Sequence, residues 1–401
     1  MTAPPEASAR TYPFNNPAGL DLDPLYAQLR ATEPLSRVRL PYGEEAWLAT
    51  RYEDVKFILG DPRFGRAAVI GRDEPRTHPR QQDSGLLTMD PPNHTRLRKL
   101  VAKAFTNRRV ETLRPRVTEI ADGLLRDMKD LGDRGDLVEG FATPLPIMVI
   151  CELLGVPFTD RHNFQVWSEA IISTTSLPLE TIMEYMGALH AYMAGLVAQR
   201  REQETDDLIG ALVRARDEDN DRLTEQEMVE LLAGLLAAGH ETTVTQIPNF
   251  VYVLLTNPGK WRELVADPTL IPNAVEELMR YVPLGTAAAF ARYASEDTEL
   301  GGVLVKAGEP VLGSLGSANR DERFFKDPDT LIFTRETNPH IGFGHGPHHC
   351  VGAQLARLEL QVALGALTRN LPDLELAVPA DEVPWKTGML VRGLKELPVR
   401  W

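Results

Sequence analysis

The order of apolar and polar residues sorts the chain into stretches with helical period and a few short alternating ones. Helical patterns run over residues 24–32, 52–59, 93–104, 109–131, 144–154, 160–172, 179–201, 206–216 and 272–281, with a short one after Pro258 and another from 353 to about 368. The longest opens at the capping-box pattern Thr224-x-x-Glu227 and continues to Thr256, a span of about 48 Å. Its middle, LLAGLLAAG, is apolar on every face and is therefore expected to be buried. Alternation marks 37–40 and 46–50 as a hairpin around Pro41-Tyr42-Gly43, and 287–292, 303–305 and 310–313 as strands. Residues 385–391 and 394–399 read as a final hairpin. Two stretches carry no period. Residues 63–85 are polar and of mixed charge, as in a lid or binding loop, and residues 319–349 form a coil that needs a clamp to stay in place.

Nothing in the pattern reads as a linker. At 43% hydrophobic and 25% charged, residues 1–401 are expected to form a single, mostly helical domain with a minor β region. The net charge of −14 argues against a nucleic-acid binder. Residues 94–109 run against that balance, carrying Arg96, Arg98, Lys99, Lys103, Arg108 and Arg109 without an acid. Two cysteines, Cys151 and Cys350, are too few for a disulfide framework, which points to a reducing compartment. The first residues lack a charged and then apolar leader, and no apolar run is long enough for a membrane span, so a cytoplasmic, unanchored protein is expected.

The chemistry concentrates at Phe343-Gly344-His345-Gly346-Pro347-His348-His349-Cys350-Val351-Gly352. A sulfur just ahead of a helix N-terminus meets free N–H groups that favour its ionised, metal-binding form. Glycines at 344, 346 and 352 would let the backbone turn with positive φ and approach a flat ring. Read from the residues alone, Cys350 fits a small buried hydrophobe, a zinc ligand beside His340, His345, His348 and His349, or a thiolate on another metal. The spacing Phe-x-x-Gly-x-His-x-Cys-x-Gly resembles the haem-binding loop of the cytochrome P-450 superfamily.

The resemblance implies a mainly α, triangular fold around haem b (iron protoporphyrin IX), with Cys350 as iron ligand and Phe343, His348 and Gly352 beside it. It also places His94 and Arg98, one helical turn apart, with Arg292 and His348 on the haem propionates. Ala238-Gly239-His240-Glu241-Thr242-Thr243 matches the family's polar break in its long helix, where Thr242 steadies dioxygen and Glu241 relays protons. Read as residues only, Thr242 and Thr243 would bond back to carbonyls one turn earlier. Glu277 and Arg280 match the family's Glu-x-x-Arg pair, and Arg335 its third member, the clamp for the long coil. Leu86, Leu87, Ala238, Ala288, Met389 and Leu390 are expected to touch substrate.

The implied activity is a monooxygenase that hydroxylates or epoxidises a bulky secondary metabolite, a macrolide or other polyketide, in antibiotic biosynthesis. Its implied partners are O2, a ferredoxin and an NAD(P)H-dependent ferredoxin reductase, and a monomer is expected. Alternatives are another lipophilic substrate (terpenoid, steroid or xenobiotic), a peroxide-using relative, and a non-catalytic haem sensor.

Overall fold

The computed structural model describes residues 8–81, 85–219 and 223–401. Its helices are α1 (Leu25–Thr32), α2 (Tyr52–Gly60), α3 (Asn93–Ala102), α4 (Asn107–Glu111), α5 (Arg114–Asp130), α6 (Pro144–Leu154) and α7 (Arg161–Ile172). Then follow α8 (Leu179–Glu202), α9 (Leu208–Glu218), α10 (Glu225–Thr256), α11 (Lys260–Ala266), α12 (Ile271–Tyr281), α13 (Leu315–Ala318) and α14 (Ala353–Asn370). The strands are β1 (Arg10–Thr11), β2 (Leu35–Arg39), β3 (Ala46–Ala49), β4 (Phe64–Gly65), β5 (Arg134–Asp136), β6 (Arg292–Ala294), β7 (Thr298–Leu300), β8 (Val303–Val305), β9 (Pro310–Gly313), β10 (Glu375–Leu376) and β11 (Pro398–Arg400).

Helix α10 is the axis on which the others pack. The Thr224 hydroxyl accepts from the Glu227 N–H at 3.2 Å, and the Glu227 carboxylate accepts from the Thr224 N–H at 2.8 Å, which fixes the start of the helix. Leu231, Leu232, Leu235 and Leu236 are buried against neighbouring helices, each worth about 1.5–3 kcal/mol. One stripe departs from the all-round burial expected of LLAGLLAAG. Gly234 and Ala238 are exposed and Thr242 is half-buried. These positions recur every four residues on one face, and their small side chains leave that face open.

The principal sheet has the order β1-β2-β3-β9-β6-β4, with β1 parallel to β2, β3 parallel to β9 and the other pairs antiparallel. Here the 37–40 and 46–50 hairpin is realised, with Arg37 opposite Trp47.

Three expectations are corrected. The single helix over 109–131 is broken into α4 and α5, because Pro115 has no N–H for the Glu111 carbonyl and its ring would crowd that turn. The strand over 287–292 is reduced to β6: Phe290 takes φ 61°, and the Ala288 N–H is used by the Tyr12 hydroxyl at 2.5 Å. The final hairpin shrinks to the bridge between Trp385 and Leu394, while β11 joins β10 and β5 in a separate antiparallel sheet.

Candidate active site

The loop before α14 is closed by its own backbone. The Cys350 N–H donates to the Phe343 carbonyl at 2.9 Å and the His349 N–H to the Gly346 carbonyl at 3.0 Å. Gly344 and Gly346 hold φ of 74° and 70°, and a Cβ on Gly346 would stand 2.2 Å from the Leu59 carbonyl oxygen at the end of α2. Gly352 behaves differently, with an ordinary φ of −86° at the start of α14. No protein atom demands a glycine there, since the nearest atom to a Cβ would be Phe105 at 4.0 Å.

The Cys350 side chain is exposed by area, yet burial dominates the environment of its thiol. That combination describes a sulfur facing a recess walled by protein. Burial raises the thiol, and the Gly352 N–H, Arg98 and Arg357 only partly offset it. The Gly352 N–H at the start of α14 and the two arginines favour the thiolate, and a coordinated metal would complete its ionisation. Cys151, by contrast, is buried in α6, and its thiol is pushed up to about 12, first by burial.

Four donors gather beside the loop. His94 and His348 lie with ring centroids 4.3 Å apart, and both feel the charge of Arg292. Burial, then Arg292 and His94, hold His348 down at about 3, so it is a neutral donor near pH 7. Burial also lowers Arg292, to about 10, with Arg66 adding to the effect. His94 Nε2, His348 Nε2 and Arg292 Nε are buried without a hydrogen-bond partner among the described residues. Arg98 completes the group and donates to the His349 carbonyl. Orphaned buried donors carry a desolvation cost of about 1–3 kcal/mol each, which an acidic ligand would relieve. Such a set next to a recessed sulfur fits a flat metal-bearing group with carboxylate arms, so the residues expected to hold haem are compatible with it.

Zinc finds no comparable site. His340 faces Glu276 rather than Cys350, at 2.9 Å, and no three metal-ligating side chains converge among the described residues.

Two carboxylates secure the coil leading to the loop, Glu277 buried and Glu276 half-buried. Glu277 accepts from Arg280 at 2.8 and 2.9 Å, from Arg335 at 3.1 and 3.2 Å, from Asn338 at 3.1 Å and from the Ile332 N–H at 3.0 Å. Burial pushes this carboxyl up, but Arg280 and Arg335 outweigh it and hold it below the usual range. Arg280 and Arg335 also reach the carbonyls of Asn319, Pro328 and Lys326.

Glu276 was not legible from sequence, and it does parallel work. It accepts from Arg357 of α14 at 2.7 and 2.9 Å as well as from His340. Burial opposes its ionisation, but the His340 and Arg357 bonds lower it to about 2. The Arg357 guanidinium lies 4.5 Å from the centre of the half-buried Phe343 ring. Arg66 and Asp90 are further finds. Asp90 accepts from the N–H groups of Arg66 and Ala67, which keeps this carboxylate engaged beside the four donors.

On α10, the Thr242 hydroxyl donates to the Ala238 carbonyl at 2.8 Å and the Thr243 hydroxyl to Gly239 at 3.5 Å, the local bonds foreseen from the residues alone. A threonine hydroxyl so engaged still offers its lone pairs. Glu241 is 2% exposed, with Oε1 3.3 Å from His240 Nδ1 and Oε2 without a partner among the described residues. Of the expected substrate contacts, Ala238 stands on the open stripe, Leu86 and Leu390 are half-buried, Met389 is buried and Leu87 is 48% exposed. Ala288 is buried in a cluster with Tyr12, Tyr26 and Tyr293.

A family model described as Cytochrome P450 matches residues 32–386. A mycinamicin IV hydroxylase/epoxidase of Micromonospora griseorubida is 55% identical over 98% of this chain and 99% of its own. A nocardicin C N-oxygenase of Nocardia uniformis subsp. tsuyamanensis is 53% identical over 98% of each. Among solved structures, HinD with NMFT and NO superposes with a TM-score of 0.95 at 51% identity, covering 98% of this chain and 100% of the other. The mixed-function P450 MycG superposes at 0.92 with 55% identity over 98% and 100%.

Proposed function

This chain belongs to the cytochrome P450 family and is a monooxygenase, and on that premise we propose that it oxidises a bulky antibiotic-class natural product, a macrolide or other polyketide, at iron protoporphyrin IX held by Cys350. The observation that carries the cofactor reading is the cluster of orphaned donors, His94, His348 and Arg292, beside a recessed sulfur. Bound there, the haem supplies the activation of dioxygen, a chemistry that belongs to the cofactor.

The chain's own residues do the positioning and the proton work. His94, Arg98, Arg292 and His348 bind the two carboxylate arms. Cys350 supplies the iron ligand, and the backbone bond to the Phe343 carbonyl holds that residue in place. The Thr242 hydroxyl, oriented by the Ala238 carbonyl, accepts from a water or another O–H group through its free lone pairs. Glu241 carries a proton on Oε2, the oxygen left without a partner, between the outside and Thr242. One oxygen atom enters a C–H or alkene of the substrate, and the other leaves as water with two electrons and two protons.

Electrons come from a ferredoxin reduced by an NAD(P)H-dependent reductase. Lys99, Lys103, Arg108 and Arg109 are exposed on α3, α4 and the turn between them, and Arg98 of the same run reaches the carbonyl next to Cys350. An acidic protein would be steered to that patch.

The small residues on the open stripe of α10 leave room for a large substrate, and the mycinamicin relative supports a macrolide. A second reading, oxygenation at a substrate nitrogen, is supported by the nocardicin C N-oxygenase at nearly the same identity. Incubation with 18O2, NADPH, ferredoxin and reductase tests the substrate class, with mycinamicin IV and nocardicin C offered separately. Incorporation of one labelled oxygen into mycinamicin IV is expected. Label in nocardicin C alone would replace the macrolide reading, and label in neither, with the haem intact, would refute both.

A further inference from the structure

Away from the sulfur, three stretches distant in sequence close on one another: the connection between α7 and α8, residues 282–286 after α12, and the terminal turn at 385–394. The Gly388 carbonyl accepts from three consecutive N–H groups, those of Thr174 at 2.7 Å, Thr175 at 3.0 Å and Ser176 at 3.1 Å. Only glycine fits that position. Its φ is +69°, and a Cβ there would stand 2.7 Å from Thr175 Oγ1 and 2.8 Å from the Ser176 nitrogen.

The neighbouring backbone continues the junction. The Leu390 N–H donates to Ile172 at 2.8 Å, the Thr286 N–H to Leu390 at 3.0 Å and the Arg392 N–H to Leu284 at 2.7 Å. Ile172, Met389 and Val391, with Leu284 and Leu390 against them, form an apolar cluster separate from the main core. The same turn is seated on α10. Asn249 Nδ2 donates to the Arg392 carbonyl at 2.8 Å, and a Cβ on Gly393 would lie 3.0 Å from Thr245, one turn beyond Thr242.

We infer that Gly388 is a specificity-determining positioning residue: its carbonyl fixes the α7–α8 connection to the terminal turn and so sets the width of the substrate recess on that side. The inference rests on the reading of that recess as the substrate site. Polar side-chain contacts across the junction are few: Ser176 Oγ lies 3.0 Å from Met389 Sδ, the Thr286 hydroxyl donates to the Leu390 carbonyl at 3.0 Å, and Lys386 Nζ is 3.7 Å from Glu169. The backbone bonds set the spacing of the segments, which side-chain rotation does not adjust, and the apolar cluster packs beside them. Thr175 and Ser176 are exposed residues, so protection of their amides would come from the Gly388 carbonyl.

Amide exchange and ligand binding on the haem-loaded protein test this. In the parent, the Thr174, Thr175 and Ser176 amides should exchange far more slowly than in a free peptide. Gly388→Ala should speed them by about tenfold or more, as expected for losing most of three hydrogen bonds. It should also change the Kd of the bulky haem ligand ketoconazole by about tenfold and that of imidazole by less than about twofold. Ser176→Ala keeps all three backbone donors and should leave both readouts at the parent values. Free-peptide exchange at Thr175 and Ser176 in the parent would overturn the inference, without recourse to any variant. So would lost protection in Gly388→Ala with an unchanged ratio of the two Kd values. If neither probe binds and no haem spectrum is seen, the cofactor reading falls and takes the specificity role with it, even with protected amides.

Discussion

The two sides of the recess are held by different physics. Behind Cys350, Glu277 and Arg280 have side chains 1% and 0% exposed, and their bonds run to a coil that has no regular structure of its own. On the lid side, the pair of Arg76 with Asp73 has an acid 65% exposed, and Arg72 stacks over Tyr293 at 4.8 Å. Among its described residues, a buried pair joins Arg66 to Glu74 at 3.4 Å. A buried, multiply bonded carboxylate fixes geometry because losing any partner strands a charge, whereas an exposed pair is screened and exchanges freely with water. The coil behind Cys350 is thus rigidly held, whereas residues 63–81 rest largely on exposed polar contacts.

The largest expected effect breaks the rigid side. Glu277→Ala leaves Arg280 and Arg335 buried without their anion and should cost about 3–5 kcal/mol, read as a lower denaturation midpoint and loss of bound haem. Retention of parent stability would show that the coil is held elsewhere. Because the folded Glu277 carboxyl sits below the usual range, its contribution is complete above about pH 4.3 and lost as the pH falls through the depressed value. A milder Glu277→Gln variant should accordingly show a flatter acid limb in its stability profile.

A smaller effect, and one of a different kind, is expected on the open stripe of α10. Thr242→Ala should leave stability nearly unchanged, since a hydroxyl bonded back to its own helix adds little. Product formed per NADPH should fall by about three- to tenfold, the worth of one hydrogen bond, with peroxide formed instead. An unchanged ratio would confine Thr242 to its bond with Ala238.

The smallest effect belongs to the lid. Asp73→Ala should shift stability by less than about 1 kcal/mol, and a cost comparable to that of Glu277→Ala would erase the contrast between the two sides.

What could be read beforehand follows the range of the interactions. The span of α10 and its capping box depend on residues three or four apart, and both were legible; so was the Glu277–Arg280 pairing. Glu276 was not, because its partners His340 and Arg357 lie 64 and 81 residues away and nothing local marks them. The surroundings of Ala288 were hidden for a related reason. A small residue in an extended stretch is open to either face, and here the hydroxyl of Tyr12, 276 residues earlier, turns that backbone towards the N-terminal core. Similarly, the spacing of the terminal segments suggested a hairpin, but Gly388 spends its carbonyl on the α7–α8 connection instead. The cysteine loop was legible since its glycines carry the turn themselves, although the burial that raises its thiol emerged only from the packing around it.

The central claim is that Cys350 ligates haem iron. The absorption spectrum of the reduced, carbon monoxide-treated protein tests it most directly, compared between the parent and Cys350→His. The parent should show the strongly red-shifted Soret band of thiolate ligation, and the variant should lose that band while His94, Arg98, Arg292 and His348 still retain the porphyrin. The same red-shifted band in Cys350→His, or a parent that carries metal without porphyrin, would contradict the account.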